Sequence, residues 1–449
     1  MIDLLVANGF ILTLDPRSTT YEQGAVAVNG GRIVALGPDA AQPAHQVIDA
    51  HGGVILPGFV NAHMHETLTR GLNEDLPLGE WLEQICFPID RAYTAQIMHA
   101  SALMNQLEMI RGGVTTFVDI YRFPDTAAEV TQASGLRGIL TPQIIETAPE
   151  AGETLESNQA FVEKWAGHHP RITAGYGPHA PYTCSGSLYS EVTRRARAAG
   201  LRVHTHLSET AFEVQQILQR EGCTPPQWLD RLEALGPWLW VAHGVHLTDE
   251  DIDLLAERGV AVVYNPTSNM KLASGTAPIL SMLERGVIVA LGTDSNLSNN
   301  NLDMFEEMRV GSTLQKLAAG DAAALPCDTM LRMATLGGAR ALGLESEIGS
   351  LEVGKQADII VVTLDAPHLW PALTGDVRNV AEHLVYSANG ADVQTTIVAG
   401  QVLMETRHVL TLDEGEARAA VNAESRDLLD RAGVMDYLQT RTAQKETGA

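Results

Sequence analysis

Two rhythms of apolar and polar positions divide the chain. Over residues 1–56, short apolar runs alternate with polar positions and break at Gly-rich turns, the period-two pattern of half-buried strands. Asn8-Gly9 is one turn signal, and Asn29-Gly30-Gly31 between two apolar runs is a hairpin signal. The same pattern returns over residues 350–412, in the runs 357–362 and 396–404. Two strand-rich blocks flanking a different middle predict one small β-domain built from both ends of the chain.

Residues 57–349 follow the other rhythm, helical segments that end at glycine and precede short apolar strands. The spacing predicts a helix over 94–111, with Ile97, Leu103, Met104, Leu107 and Ile110 on its apolar face, a left-handed cap at Gly112-Gly113, and a strand over 114–119. The unit recurs, with helices ending at Gly135, Gly200, Gly259 and Gly286, the last before a strand over 287–291. Thr248, with Asp251 three residues on, reads as a capping box. About eight such units predict an α/β fold, a (β/α)8 TIM barrel, ahead of a doubly wound open sheet. The open sheet is disfavoured because no Gly-x-Gly-x-x-Gly or Gly-Lys-Ser/Thr loop follows an early strand. Residues 413–449, charged and Ala-rich, predict one or two surface helices.

Composition narrows the class. In 449 residues, 45% are hydrophobic and 19% charged, ordinary for a globular enzyme. Acidic residues outnumber basic ones 55 to 30, a net charge of −25 that disfavours nucleic acid or an anionic membrane as partner. No apolar run reaches membrane-spanning length, and the first residues lack a signal-peptide pattern. Cys86, Cys184, Cys223 and Cys327 have no Cys-x-x-Cys spacing, which predicts free thiols and a cytoplasmic location. A small-molecule substrate and a homo-oligomer, dimer or tetramer, are expected.

Barrel chemistry sits at the C-terminal strand ends. Four apolar strands end on candidate ligands: His63-Met64-His65, His204-Thr205-His206, His243 and Asp294. Alternation puts His63 and His65 on one face, and likewise His204 and His206, with His206 nearer the strand end. Imidazoles and one carboxylate from separate strands suit a divalent transition metal such as zinc.

His63-x-His65, His206, His243 and Asp294 resemble the metal ligands of the amidohydrolase superfamily. Pro57-Gly58-Phe59-Val60-Asn61, Gly177-Pro178-His179-Ala180-Pro181-Tyr182 and Asn265-Pro266-Thr267-Ser268-Asn269 are similar to its methylthioadenosine/S-adenosylhomocysteine deaminase branch, which also resembles the chlorotriazine hydrolases. The resemblance covers nearly the whole chain. It implies a distorted barrel over 57–349, a composite β-sandwich from 1–56 and 350–412, and a helical tail over 413–449. With no bridging lysine at a strand end it implies one metal ion, Zn2+, with Fe2+ or Mn2+ as alternatives. Hydroxide generated at that metal would attack an electron-poor ring carbon. The resemblance makes Asp294 both ligand and base, lets His243 orient the nucleophile, and makes Glu209 the acid–base residue that protonates a ring nitrogen. It gives His179 a hydrogen bond to the substrate and Trp81 a stacking wall.

The chain departs from that branch near the substrate. Asp90 stands where a ribose-holding glutamate is expected, and Thr141-Pro142 and residues 152–155 replace the arginines that would bind an amino-acid carboxylate. The loop after His65 is about two residues short and places Glu66 beside the ligands. The resemblance, with the ligand set and Glu209 intact, implies an aminohydrolase acting on an adenosine-like or other N-heterocyclic substrate, and the missing arginines predict that S-adenosylhomocysteine is a poor one. The alternative is a non-deaminating enzyme of the same fold: a dehalogenase, an aryl amide or ester hydrolase, or a condensing or cyclising enzyme.

Overall fold

Eight parallel strands carry the middle of the chain. In this computed structural model, which describes residues 1–72, 76 and 78–447, they form two four-stranded halves. Phe59–Met64, Val114–Asp119, Arg137–Leu140 and Ile172–Ala174 make the first half. Val203–Leu207, Leu239–His243, Ala261–Tyr264 and Val289–Leu291 make the second. Nearly all their residues are buried, as expected when helices cover one face and side chains fill the other. Val60, Ala62, Val118, Ile139, Trp240, Val263 and Ala290 form the cluster inside.

The halves join at two seams. At one, Tyr176 pairs with Val203 as a single parallel bridge. At the other, the Asp294 amide donates to the His63 carbonyl at 3.0 Å. Glycine is required at this second seam: a Cβ on Gly292 would lie 2.9 Å from the His63 backbone. The contact that closes the barrel thus also brings the eighth-strand aspartate to the first-strand histidines.

The two ends of the chain meet in one nine-stranded sheet. Ile359–Val362, from the C-terminal block, runs antiparallel to Val54–Pro57, from the N-terminal block. Leu4, Val26, Ile33, Ile55, Ile359 and Ile397 share a core there. The chain passes from this sheet into the barrel at Gly58, where a Cβ would collide with Thr115.

Local details follow the sequence pattern with some corrections. The helix Ala95–Arg111 is capped by Thr94, and the helix Asp249–Arg258 by the reciprocal Thr248–Asp251 box. Gly113 (φ 81°), not Gly112 (φ −88°), takes the left-handed cap position. The expected turn at Asn8-Gly9 is a register shift inside one continuous strand, Ile2–Leu12, with Asn8 at φ 59°. The eighth barrel strand is Val289–Leu291, two residues shorter at its start than expected. The tail forms the helices Glu414–Arg431 and Met435–Thr447, the first packed against Ala95–Arg111. Residues 73–75 and 77 of the loop expected to be short, and 448–449 of the tail, lie outside the described residues. Among the described residues, no helix is long and apolar enough to cross a membrane.

A buried ion pair ties barrel to sheet. Arg137, at the start of the third barrel strand, lies 3.2 Å from Asp358, with side chains 5% and 2% exposed. Asp358 also accepts from the Ala399 amide at 2.7 Å, and Arg137 donates to Gln356 at 2.7 Å. Removing one partner strands the other charge, at a cost of about 3–5 kcal/mol. Arg137→Ala should therefore lower the unfolding free energy read from denaturant melts by about 3–5 kcal/mol, and an unchanged value would show that the pair contributes nothing.

Candidate active site

The strand ends bring His63, His65, His206, His243 and Asp294 together. The ligand atoms of His63, His65 and His206 lie within 4.8 Å of one another, as do those of His63, His243 and Asp294. His65 Nε2 and His206 Nε2 are 3.2 Å apart. Asp294 Oδ1 is 3.5 Å from both His63 Nε2 and His65 Nε2.

Hydrogen bonds behind the rings set which nitrogen faces inward. His65 Nδ1 donates to the Ile120 carbonyl at 2.6 Å, and His206 Nδ1 to the His179 carbonyl at 2.6 Å. His204 Nδ1 donates to the Trp240 carbonyl at 3.1 Å, leaving its Nε2 to accept from His63 Nδ1 at 2.8 Å. His63 Nε2 is then a bare lone pair, buried and without a hydrogen-bond partner. Three Nε2 lone pairs converging beside a carboxylate fit a divalent transition metal, because the carbonyls and His204 fix the tautomer that such an ion needs. His243 differs: its Nδ1 faces the Asn269 amide nitrogen at 2.9 Å. An amide donating there leaves the ring proton on Nε2, which sits 3.8 Å from Glu209 Oε2.

The charges are arranged to suit. Burial, with neighbouring ring charges, lowers His65 to about 4, so the imidazole is neutral at neutral pH. Burial alone would raise Asp294, but the imidazoles packed around its carboxylate, His63 first and then His243 and His65, outweigh it and hold Asp294 below the usual carboxylate range. Its second oxygen accepts from Ser268 at 2.6 Å, and the Ser295 amide donates to the first at 2.8 Å. His243 (φ 76°) and Asp294 (φ 61°) both occupy the left-handed region, a strained backbone that turns each side chain inward from its strand end.

Above the ligands lies a cavity that opens to solvent. Glu209, His179, Trp81 and Asp90 line it. Burial, with Asp294 nearby, pushes Glu209 up to about 8, and Ser274 donates to it at 3.4 Å. Its backbone is clamped by Glu213, which accepts from the Ser208 and Glu209 amides at 2.8 and 2.9 Å. Burial lowers His179 to about 3, and Thr183 holds its Nδ1 at 2.9 Å. No Arg or Lys lines the cavity among the described residues.

Glu66 corrects an expectation. It is fully buried and does not line the cavity: it lies behind the first strand, where its Oε1 accepts from Gln106 at 3.0 Å and its amide donates to Asp119. Burial and the Asp119 charge raise it well above the carboxylate range. Following His65 by one residue, it leaves the strand end on the side opposite the ligand. Sequence reasoning also missed supporting residues. Ser268 and Asn269 lay inside a recognised stretch, and Glu213 is one helical turn past Glu209, but Tyr121 and Gln143, which line the cavity, carry no sequence signal.

Imidazoles and a carboxylate at the C-terminal ends of parallel barrel strands, around one cavity, define a metal-dependent hydrolase of barrel type. The comparisons say which. The model of the Amidohydrolase family matches residues 54–403, and the chain belongs to that family, whose members are metal-dependent TIM barrels with an additional domain. A 5'-deoxyadenosine deaminase of Methanosarcina mazei is 44% identical over 436 residues, 96% of this chain and 99% of the relative. A 5-methylthioadenosine/S-adenosylhomocysteine deaminase of Syntrophobacter fumaroxidans is 44% identical over 436 residues, covering 95% and 98%. An adenosine deaminase from Xanthomonas campestris, solved with bound zinc, superposes with a TM-score of 0.90 at 36% identity, covering 97% and 99%. An atrazine chlorohydrolase from Arthrobacter aurescens, at 24% identity and a TM-score of 0.85 over 94% and 99%, shares the fold.

His206→Ala removes an inward lone pair and should abolish stable metal binding. His204→Gln removes only the support behind His63 and should weaken metal affinity about 10–100-fold. Metal analysis under chelator competition checks both, and wild-type retention by His206→Ala would overturn the ligand set.

Proposed function

We propose that the chain hydrolytically deaminates the base of an adenosine-like nucleoside whose 5'-substituent carries no charge. The observation that carries this reading is the placement of Glu209, whose carboxyl faces His243 Nε2 at 3.8 Å on the cavity side of the metal-ligand cluster. His63, His65, His206 and Asp294 would hold one divalent ion, zinc by preference, as in the solved relative that binds it. When bound, that ion supplies a Lewis acid that brings the pKa of water from 15.7 towards about 7.

The chain's own residues supply the rest. Asp294, kept ionised by its neighbours and held by Ser268, accepts the proton of the attacking water. His243, with its proton on Nε2, takes the second of its two expected roles and orients that water. Glu209 donates a proton to the ring nitrogen beside the attacked carbon and then helps pass one to the leaving amine, so that water enters and ammonia leaves. Trp81 and Phe87 form an apolar wall against which the planar base can stack. His179, with Nδ1 engaged by Thr183, turns its other nitrogen to the substrate.

The lack of a basic side chain on the cavity wall leaves an amino-acid carboxylate without its charge-paired anchor. Residues 73–75 and 77, which are Asn, Glu, Asp and Pro, add none. Four free cysteines, three of them buried, support a reducing compartment and with it a cytoplasmic enzyme.

Ammonia release should therefore be seen with 5'-deoxyadenosine and 5'-methylthioadenosine, with kcat/KM at least about 100-fold lower for S-adenosylhomocysteine. Release from none of these nucleosides by the metal-loaded protein would refute deamination. Glu209→Gln should cost about 10²–10⁴ in kcat with metal content unchanged. Full activity in that variant would remove Glu209 from the chemistry.

A further inference from the structure

The wall of the cavity formed by the helix Phe87–Ala92 carries a second carboxylate, and it is already half-engaged. Asp90 lines the cavity, and its Oδ1 accepts from the Tyr121 hydroxyl at 2.6 Å. Arg122 donates to the Asp90 backbone carbonyl, which holds the helix in place. Tyr121 is itself locked. It is 3% exposed and meets the Tyr93 ring edge-on at 5.2 Å, and the Tyr93 hydroxyl accepts from the Leu68 amide at 2.6 Å. Its other ring neighbour is the metal-ligand candidate His65, at 6.0 Å. The phenol thus fixes the Asp90 carboxylate at a set distance from the cluster.

A nucleoside offers Asp90 two neighbouring sugar hydroxyls. A carboxylate with both oxygens free can accept from both at once. Here one oxygen accepts from the buried Tyr121 phenol at 2.6 Å, and the short aspartate stem limits how far the group can turn. Among the described residues none hydrogen-bonds Oδ2, which is left for a ligand in the cavity.

Resting on the nucleoside reading above, we propose that Tyr121 is a positioning residue that leaves Asp90 one oxygen for the sugar, so that the site reads one ribose hydroxyl rather than the vicinal pair. Substrates lacking the unread hydroxyl are then accepted as well as the ribonucleoside. A site built to bond a hydroxyl discriminates strongly against an analogue lacking it, and a position the site does not bond carries no such penalty.

The test compares adenosine with its 2'-deoxy and 3'-deoxy analogues on the metal-loaded wild-type enzyme. One analogue should stay within about threefold of adenosine in kcat/KM, while the other falls about tenfold or more through KM, the loss expected for a hydrogen bond to a charged group. Tyr121→Phe frees the second oxygen, so the tolerated analogue should become discriminated, falling about tenfold or more in kcat/KM relative to adenosine in that variant. Asp90→Asn, a second variant of unchanged size, should shrink the discrimination seen in wild type. Wild-type losses with both analogues, losses with neither, or a Tyr121→Phe pattern identical to wild type would overturn the proposal. Calorimetric binding of inosine and its two deoxy forms reads the same contrasts without turnover. A binding contrast without ammonia release would sink the deaminase reading and leave this inference standing, whereas ammonia release without the contrast would do the reverse.

Discussion

Each inward-facing nitrogen in the cluster is set by a hydrogen bond made on the far side of its ring. An imidazole binds a metal only through a bare lone pair, and in neutral histidine the other nitrogen must then carry the proton. Ile120 and His179 carbonyls meet that proton on His65 and His206. For His63 the same task passes through His204 to the Trp240 carbonyl. These carbonyls belong to barrel strands or the loops that leave them, so the barrel's register decides the protonation state of the cluster. The rest of the site depends on this, because the placement of Asp294 and Glu209 serves the chemistry only around a cluster already in the metal-binding tautomer.

The barrel contributes the second constraint. Its weakest seam, between the eighth and first strands, is also where the cluster is assembled. One backbone hydrogen bond from Asp294 to His63 closes it, and Gly292 permits the approach. Chemistry and closure share residues there. A side chain at position 292 would push the aspartate away from the first-strand histidines while opening the barrel. The sheet built from both chain ends, held by the buried Arg137–Asp358 pair, braces the opposite end of the strands.

Much of this was legible in the residue pattern, and the reasons differ by level. Helix ends were readable because caps are local: Thr248 with Asp251 and the glycines at 135, 200 and 259 need only their neighbours to act. That the histidines and Asp294 cluster was readable because strand ends in a barrel converge on one face, so histidines recurring there carry joint information. Glu66 was misread because nearness to His65 in sequence does not say which way the chain turns a side chain beyond the strand end, and Glu66 turns to the buried side, onto Gln106. Tyr121 and Gln143 were invisible because their roles come from contacts between segments far apart in sequence. Asn8-Gly9 carried a true backbone signal, a positive φ, but the strand absorbs it as a bulge.

On the proposed function, one metal ion held by a tautomer-fixed cluster turns this cavity into a deaminase of adenosine-like nucleosides. Its most direct test titrates the chelated, metal-free enzyme with Zn2+ while ammonia release from 5'-deoxyadenosine is followed. No release without metal and full activity at one equivalent of zinc per chain are expected. Undiminished activity in the metal-free protein, or a requirement for two equivalents, would contradict that function.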